Sequence, residues 1–176
     1  MTTAVTRLFL LVSMFFMSMG LQAATERESI TLWSEGVRLA GDLVKPAGLA
    51  SADKLPGILM VPGWGGSKAN LLRGYAPQFA DQGYVVMVFD YKGWGESNGP
   101  LLLTESLPAG EISEKLTVEV THVRQVVDPL SKLEDIRAAL NYLAGDANVD
   151  ADNIGIWGTS LGGGLALVTA AGEPRI

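Results

Sequence analysis

Two hydrophobic periods alternate along the chain. Residues 57–61, Gly57-Ile58-Leu59-Met60-Val61, are apolar without interruption and stop at Pro62-Gly63. The run Tyr84-Val85-Val86-Met87-Val88-Phe89-Asp90 repeats the pattern, and Ile154-Gly155-Ile156-Trp157 repeats it again. Short runs with no polar face predict strands covered on both sides, as in parallel sheets. Nearer the N-terminus, Ile30-Thr31-Leu32-Trp33 and residues 37–44 flank Ser34-Glu35-Gly36 and predict an antiparallel hairpin. A Pro-, Gly- and Ser-containing loop follows over 46–56.

Between the runs the period lengthens. Residues 75–82 predict a short helix closed by Gly83, with Pro77 in its first turn. Across 131–144, Leu133, Ile136, Leu140 and Leu143 recur at steps of three and four; Gly145 ends the pattern, and Ser131 with Glu134 has capping-box spacing. A last helix starts just after Ser160 and carries Leu165, Leu167 and Val168. Hairpin, then strand and helix three times over, is the order of an α/β fold. It predicts a doubly wound, mostly parallel sheet with an N-terminal antiparallel hairpin. Residues 100–130 interrupt that order. They hold Pro100, Pro108 and Pro129 without a consistent period, and read as an insertion of the kind that caps or borders a site.

Residues 1–24 stand apart. Arg7 precedes Leu8 to Phe16, almost free of polar groups, and the segment ends at Leu21-Gln22-Ala23-Ala24. A basic start, a short apolar stretch and an alanine exit predict a secretory signal peptide, so 25–176 is expected as one exported domain, periplasmic or secreted. Charge and composition narrow the partners. Lys and Arg number 13 against 19 Asp and Glu, a net of −6, which argues against a phosphate-binding surface and so against nucleic acid. Cysteine is absent, which leaves no disulfide, no thiolate metal site and no lipid-bearing cysteine as a membrane anchor. With one histidine besides, no metal site and no cofactor are expected.

Chemistry concentrates at Gly158-Thr159-Ser160-Leu161-Gly162, which follows a buried strand directly and opens a helix. A nucleophile on so sharp a strand-to-helix turn needs small neighbours two residues away, here Gly158 and Gly162. The turn also sets Ser160 at a helix N-terminus, where free N–H groups favour developing negative charge. A second element, Val61-Pro62-Gly63-Trp64-Gly65-Gly66, follows the first buried strand. Acyl transfer needs two N–H donors on the oxyanion, one just after the nucleophile and one from such a loop; these are Leu161 and Trp64. The loop is not a dinucleotide fingerprint, because Lys68 stands where the third glycine of Gly63-x-Gly65-x-x-Gly belongs.

These segments, with Phe89-Asp90-Tyr91-Lys92-Gly93-Trp94-Gly95-Glu96-Ser97, together resemble the α/β-hydrolase superfamily over about residues 30–172. Within it the chain resembles the dienelactone hydrolase group and the cocaine-esterase and Xaa-Pro peptidase group. Many relatives begin the oxyanion loop with His-Gly, where this chain has Pro62-Gly63. The resemblance implies a serine hydrolase that cleaves an ester-like or amide-like bond of a small molecule through an acyl-enzyme on Ser160. A peptidase of small peptides and a non-catalytic hydrolase-derived binding domain are the alternatives. It also implies an acid and a histidine after the nucleophile, yet only sixteen residues follow Ser160, and the one histidine, His122, precedes it inside the insertion. His122 is therefore expected to be a solvent-facing loop residue. Asp90 and Asp128 also precede Ser160 and are poor candidates for the acid, and Glu105, Glu111, Glu114 and Glu119 are expected on the solvated side of the insertion. The chain is expected to be an N-terminal portion, a partial hydrolase domain inactive alone. Trp64 and Trp94 are candidates both for a substrate pocket and for loop packing.

Overall fold

A computed structural model describes residues 25–107, 110 and 115–176; the export segment expected over 1–24 lies outside them. In chain order the elements are β1 (Thr25–Ser34), β2 (Val37–Pro46), β3 (Leu55–Val61), α1 (Lys68–Gly74), α2 (Ala76–Asp81), β4 (Val85–Phe89), β5 (Leu101–Leu103), β6 (Val120–His122), α3 (Pro129–Ala144), β7 (Val149–Gly158) and α4 (Leu161–Gly172).

The main sheet runs β1-β2-β4-β3-β7. The hairpin forms as expected. Ser34 faces Val37 across a two-residue turn in which Glu35 and Gly36 both take positive φ, 48° and 77°, the twist a tight hairpin requires. β2 then joins the sheet antiparallel to β4, from Gly41 opposite Phe89 to Val44 opposite Val86. β3 lies parallel to both β4 and β7, with Leu59 opposite Met87 on one side and Ile156 on the other. The fold is thus a mixed sheet, antiparallel from β1 through β2 to β4 and parallel from β4 through β3 to β7.

Alternation along the strands divides the core into two layers. Leu59, Val61, Val85, Met87 and Phe89 face Ile136, Ala139, Leu140 and Leu143 of α3 and Leu165 of α4. Ile58, Met60, Val86 and Val88 face Leu71 of α1 and Ala76 and Ala80 of α2. Each fully buried Leu, Met or Phe stabilises by about 1.5–3 kcal/mol relative to exposure. That reward explains why neither face of these strands carries a polar group.

Two helix starts differ from expectation. The helix over 131–144 begins earlier, at Pro129. Asp128 is its N-cap and accepts the Leu130 N–H at 3.0 Å, while Pro129 fills the first position, where its missing N–H is harmless. Ser131 therefore sits inside the first turn, and Glu134 pairs with Arg137 at 2.6 Å instead of capping. The helix over 75–82 is preceded by α1, which the apolar period does not reveal because only Leu71 of its apolar residues is buried. Its start is polar: Asn70 Oδ1 accepts the Ser67 N–H at 3.0 Å.

The insertion forms a separate two-stranded ribbon, β5 antiparallel to β6, with Leu101, Leu102 and Leu103 exposed. Its base is tied down by the N–H of Gln125 donating to Gly93 O and by Arg124 Nη2 donating to Gly95 O at 3.0 Å. Val61, Phe89 and Gly158 end the three parallel strands at one edge of the sheet. The loops 62–67 and 90–99 and the turn at 159–160 therefore gather there, where open α/β sheets place their binding crevices.

Candidate active site

Ser160 stands in a strained backbone, φ 53° and ψ −128°, at the junction of β7 and α4. A non-glycine residue in that region carries about 1–3 kcal/mol of strain, and such outliers cluster where function over-determines the geometry. The surrounding glycines show what holds the turn so tight. A β-carbon on Gly158 would stand 2.5 Å from the Gly162 carbonyl, and one on Gly162 would stand 2.7 Å from the Pro62 carbonyl oxygen. Both obstacles are backbone, so neither position admits a side chain without moving the turn. Ser160 itself remains exposed.

The loop 62–67 lies directly against the serine. A β-carbon on Gly63 would meet Thr159 O at 3.0 Å and the Ser160 Cβ at 3.5 Å. The Gly66 N–H donates to Gly63 O at 3.1 Å, closing a turn with Trp64 at its tip. Among the described residues the N–H groups of Trp64 and Leu161 have no hydrogen-bond acceptor. The two donors expected from sequence are thus both unspent on the serine's side of the sheet. The cleft there measures about 200 Å³ and is bordered by Gly63, Trp64, Asn70, Tyr75, Thr159 and Ser160. Trp64 is 72% exposed along it, whereas Trp94 packs inward, its indole N–H on Val126 O at 3.2 Å.

The residues doubted as acid or base are elsewhere. Asp90 is buried, with Oδ1 on the Lys68 N–H at 2.7 Å and Oδ2 on the Glu96 N–H at 2.9 Å, so both oxygens serve backbone. Burial pushes its carboxyl up, and the two N–H groups only partly offset this. Asp128 caps α3. His122 is exposed in β6, a strand rather than the expected loop, and its Nε2 accepts the Gly99 N–H at 2.8 Å. Glu105 and Glu119 are exposed, as expected, while Glu111 and Glu114 lie outside the described residues. No His, Asp or Glu borders the cleft at Ser160 among the described residues.

Residues 40–176 match the dienelactone hydrolase family. The chain belongs to that family. This dienelactone hydrolase family chain is 35% identical over 121 residues to the quorum-quenching protein AidA of Acinetobacter baumannii, a match covering 69% of the chain and 33% of AidA. It is 28% identical over 152 residues to thiohydrolase aneE of Aspergillus aculeatus, covering 86% of the chain and 39% of that protein. The solved α/β hydrolase GrgF from Penicillium sp. sh18 shares the fold at a TM-score of 0.64 and 23% identity, over 87% of the chain and 43% of GrgF. The chain spans about a third of the length of the curated relatives it matches.

Two features of this family member escaped the sequence reading. Lys68 is buried between Asp42 Oδ2 at 2.7 Å and Glu96 Oε2 at 2.9 Å, and Asp42 also takes Arg27 Nε at 2.7 Å and Ser29 Oγ at 2.8 Å. Burial pushes the Asp42 carboxyl up, but the hydrogen bonds from Arg27, Lys68 and Ser29 outweigh it and hold the group below the ordinary carboxylate range. A second buried cluster joins Lys92 to Asp135 at 3.3 Å and to Glu35, with Lys132 over the Tyr91 ring at 4.2 Å. The signal for both was a charged residue inside an otherwise apolar or Gly-rich stretch, but its partners lie 26 and 43 residues away in sequence.

Proposed function

We propose that the whole protein is a serine hydrolase acting on an ester-like or amide-like bond of a small molecule. The observation that carries this is the strained Ser160, exposed at a helix N-terminus with the unspent N–H groups of Trp64 and Leu161 on its side of the sheet. Ser160 Oγ attacks the carbonyl carbon and gives up its proton to a base. The carbonyl oxygen becomes an oxyanion that accepts hydrogen bonds from the two N–H groups. Collapse expels the leaving group, which takes the proton, and leaves an acyl group on Ser160; water then releases the acid and restores the hydroxyl. The base and its orienting acid come from sequence beyond these 176 residues, a reading supported by a cleft that no His, Asp or Glu borders among the described residues and by relatives of which the match covers about a third. Accordingly the 176 residues alone are inactive.

Residues 1–24 act as the export signal and 25–176 contribute the first part of the catalytic domain, in the periplasm or outside the cell; the support is the Arg7, Leu8 to Phe16, Ala23-Ala24 pattern. N-terminal sequencing of the protein from its host should begin at Ala24 or Thr25, and intact Met1 in the cytoplasm would refute export.

The test of the reaction is a fluorophosphonate probe on the full-length protein. Ser160 should be labelled, and Ser160→Ala should abolish both labelling and hydrolysis of a short p-nitrophenyl ester, by roughly 10⁶-fold if it behaves like other triad serines. Hydrolysis unchanged in the alanine variant would remove Ser160 from the mechanism, and no labelling of the full-length protein at all would favour a binding domain.

A further inference from the structure

The loop that carries the Trp64 N–H is held at both ends by two consecutive residues, Asp90 and Tyr91, just past the end of β4. At its start, the Tyr91 hydroxyl donates to Pro62 O at 3.2 Å. At its finish, the Lys68 N–H donates to Asp90 Oδ1 at 2.7 Å. The five residues between these anchors include the turn closed by Gly66 on Gly63. From these contacts we infer that Asp90 and Tyr91 are positioning residues for the oxyanion hole, with Tyr91 setting the distance between the Trp64 N–H and Ser160. This rests on the acyl-transfer reading above.

Three observations make the Tyr91 contact more than packing. The hydroxyl is buried, with the whole residue 2% exposed, in a site that holds the phenol strongly in its protonated, donating form. Its acceptor belongs to the short stretch of backbone that presses on the elbow, since a β-carbon on Gly162 would strike Val61 O most closely, and Pro62 O and C at 2.7 and 2.8 Å. Hence a shift of Pro62 changes the spacing between the loop and the Ser160 turn directly. Finally, the ring cannot swing away. Phe89 meets it edge-on at 5.2 Å between centroids, and the Lys132 ammonium covers its face at 4.2 Å. Asp90 is equally constrained, because its second oxygen holds the Glu96 N–H and a β-carbon on Gly95 would overlap its carboxylate.

An oxyanion hole works through donors fixed before charge develops, so loosening one anchor should slow chemistry without changing substrate affinity. Neither Tyr91 nor Asp90 borders the cleft at Ser160. The experiment uses full-length protein with Tyr91→Phe, which removes only the hydroxyl. Lys45→Met serves as a stability control, because it breaks an ion pair to Asp146 at 2.8 Å at the opposite end of the sheet. Tyr91→Phe should lower kcat on a short p-nitrophenyl ester about tenfold with KM within about twofold, less than the 10²–10³ that follows outright loss of a donor. The rate of fluorophosphonate labelling should fall in parallel. Lys45→Met should lower the melting temperature yet leave both rates within about twofold. Should Tyr91→Phe fold poorly, Asp90→Asn reads the other anchor by the same split of kcat against KM. Normal kcat and labelling in a folded Tyr91→Phe, while Ser160→Ala is inactive, would overturn the inference alone. An active Ser160→Ala would overturn the serine reading, and this inference with it.

Discussion

Gly162 and Pro62 approach so closely that any side chain on the glycine would strike the proline's carbonyl, 2.7 Å from its β-carbon. The contact joins the turn that bears Ser160 to the loop that bears Trp64, so the spacing of the site depends on the absence of a single methyl group. Gly162→Ala should therefore destabilise the fold by about 1–3 kcal/mol, as overpacking does, and slow fluorophosphonate labelling. Gly164 lies two residues further along α4 with nothing within 4 Å of its β-carbon position. Gly164→Ala should instead stabilise by about 0.5–1 kcal/mol. Thermal melts of the two variants, side by side, check the opposite signs.

The buried Lys68–Asp42 pair predicts a large effect from a small change. Lys68→Met strands a carboxylate that is fully buried and keeps only the half-exposed Arg27 as its cation. Loss of one partner in such a pair costs about 3–5 kcal/mol, and the remaining arginine places this case near the lower figure. By contrast Arg137→Ala, which breaks an exposed pair with Glu134, should change stability by less than about 1 kcal/mol. Urea denaturation distinguishes the two outcomes.

Stability should fall on the acid side for an identifiable reason. Asp42 is held below its ordinary value of 3.8, so its contribution is complete above that pH and is lost as pH drops through the lower folded value. Asp135 works in the opposite sense. Burial pushes its carboxyl up, so the fold favours its protonated form and loses stability as pH rises from 3.8 through the higher folded value. Asp42→Asn should flatten the acid limb of stability, and Asp135→Asn should steepen it. Urea midpoints between about pH 3 and 7 measure both slopes.

His122 should prove dispensable for the chemistry. Its Nε2 is engaged by the Gly99 N–H on the ribbon of β5 and β6, away from the cleft. In full-length protein, His122→Ala should label at Ser160 within about twofold of the parent rate. A drop of several orders of magnitude would make it the missing base.

Residues 25–176 expressed alone should self-associate. Among the described residues β7 pairs only with β3, which leaves its outer row of N–H and C=O groups unpaired, and α4 beside it exposes Leu167 and Val168. An open strand edge beside apolar side chains is a template for other chains. Size-exclusion chromatography beside the full-length protein gives the answer, and a monodisperse, cooperatively melting sample would count against it.

Much of the fold was legible because each signal was local. An apolar run such as Val85 to Phe89 specifies a strand covered on two faces, and Glu35-Gly36 between alternating segments specifies a hairpin. Where two local signals competed, the nearer physical fit won. Asp128-Pro129 starts α3 rather than Ser131, because proline needs no N–H partner in the first turn and the aspartate supplies the cap. α1 was hidden, since a seven-residue helix that buries Lys68 and Leu71 has too little period to register.

By itself the sequence determined the alternation of the buried strands with the longer helices, the hairpin, and the spacing that lets a serine turn sharply between Gly158 and Gly162. Those follow from side-chain size and polarity among near neighbours. Only the tertiary structure decided that β2 enters beside β4, that Gly63 lies against Ser160, that Asp90 serves two backbone N–H groups, and that Tyr91 reaches Pro62 O. Each of these joins residues from separate elements, and such contacts depend on how the sheet closes. The charged residues show this most clearly. Lys68 reads in sequence only as the residue that breaks a dinucleotide fingerprint, and it becomes a buried anchor when Asp42 from β2 and Glu96 from the loop after β4 converge on its ammonium.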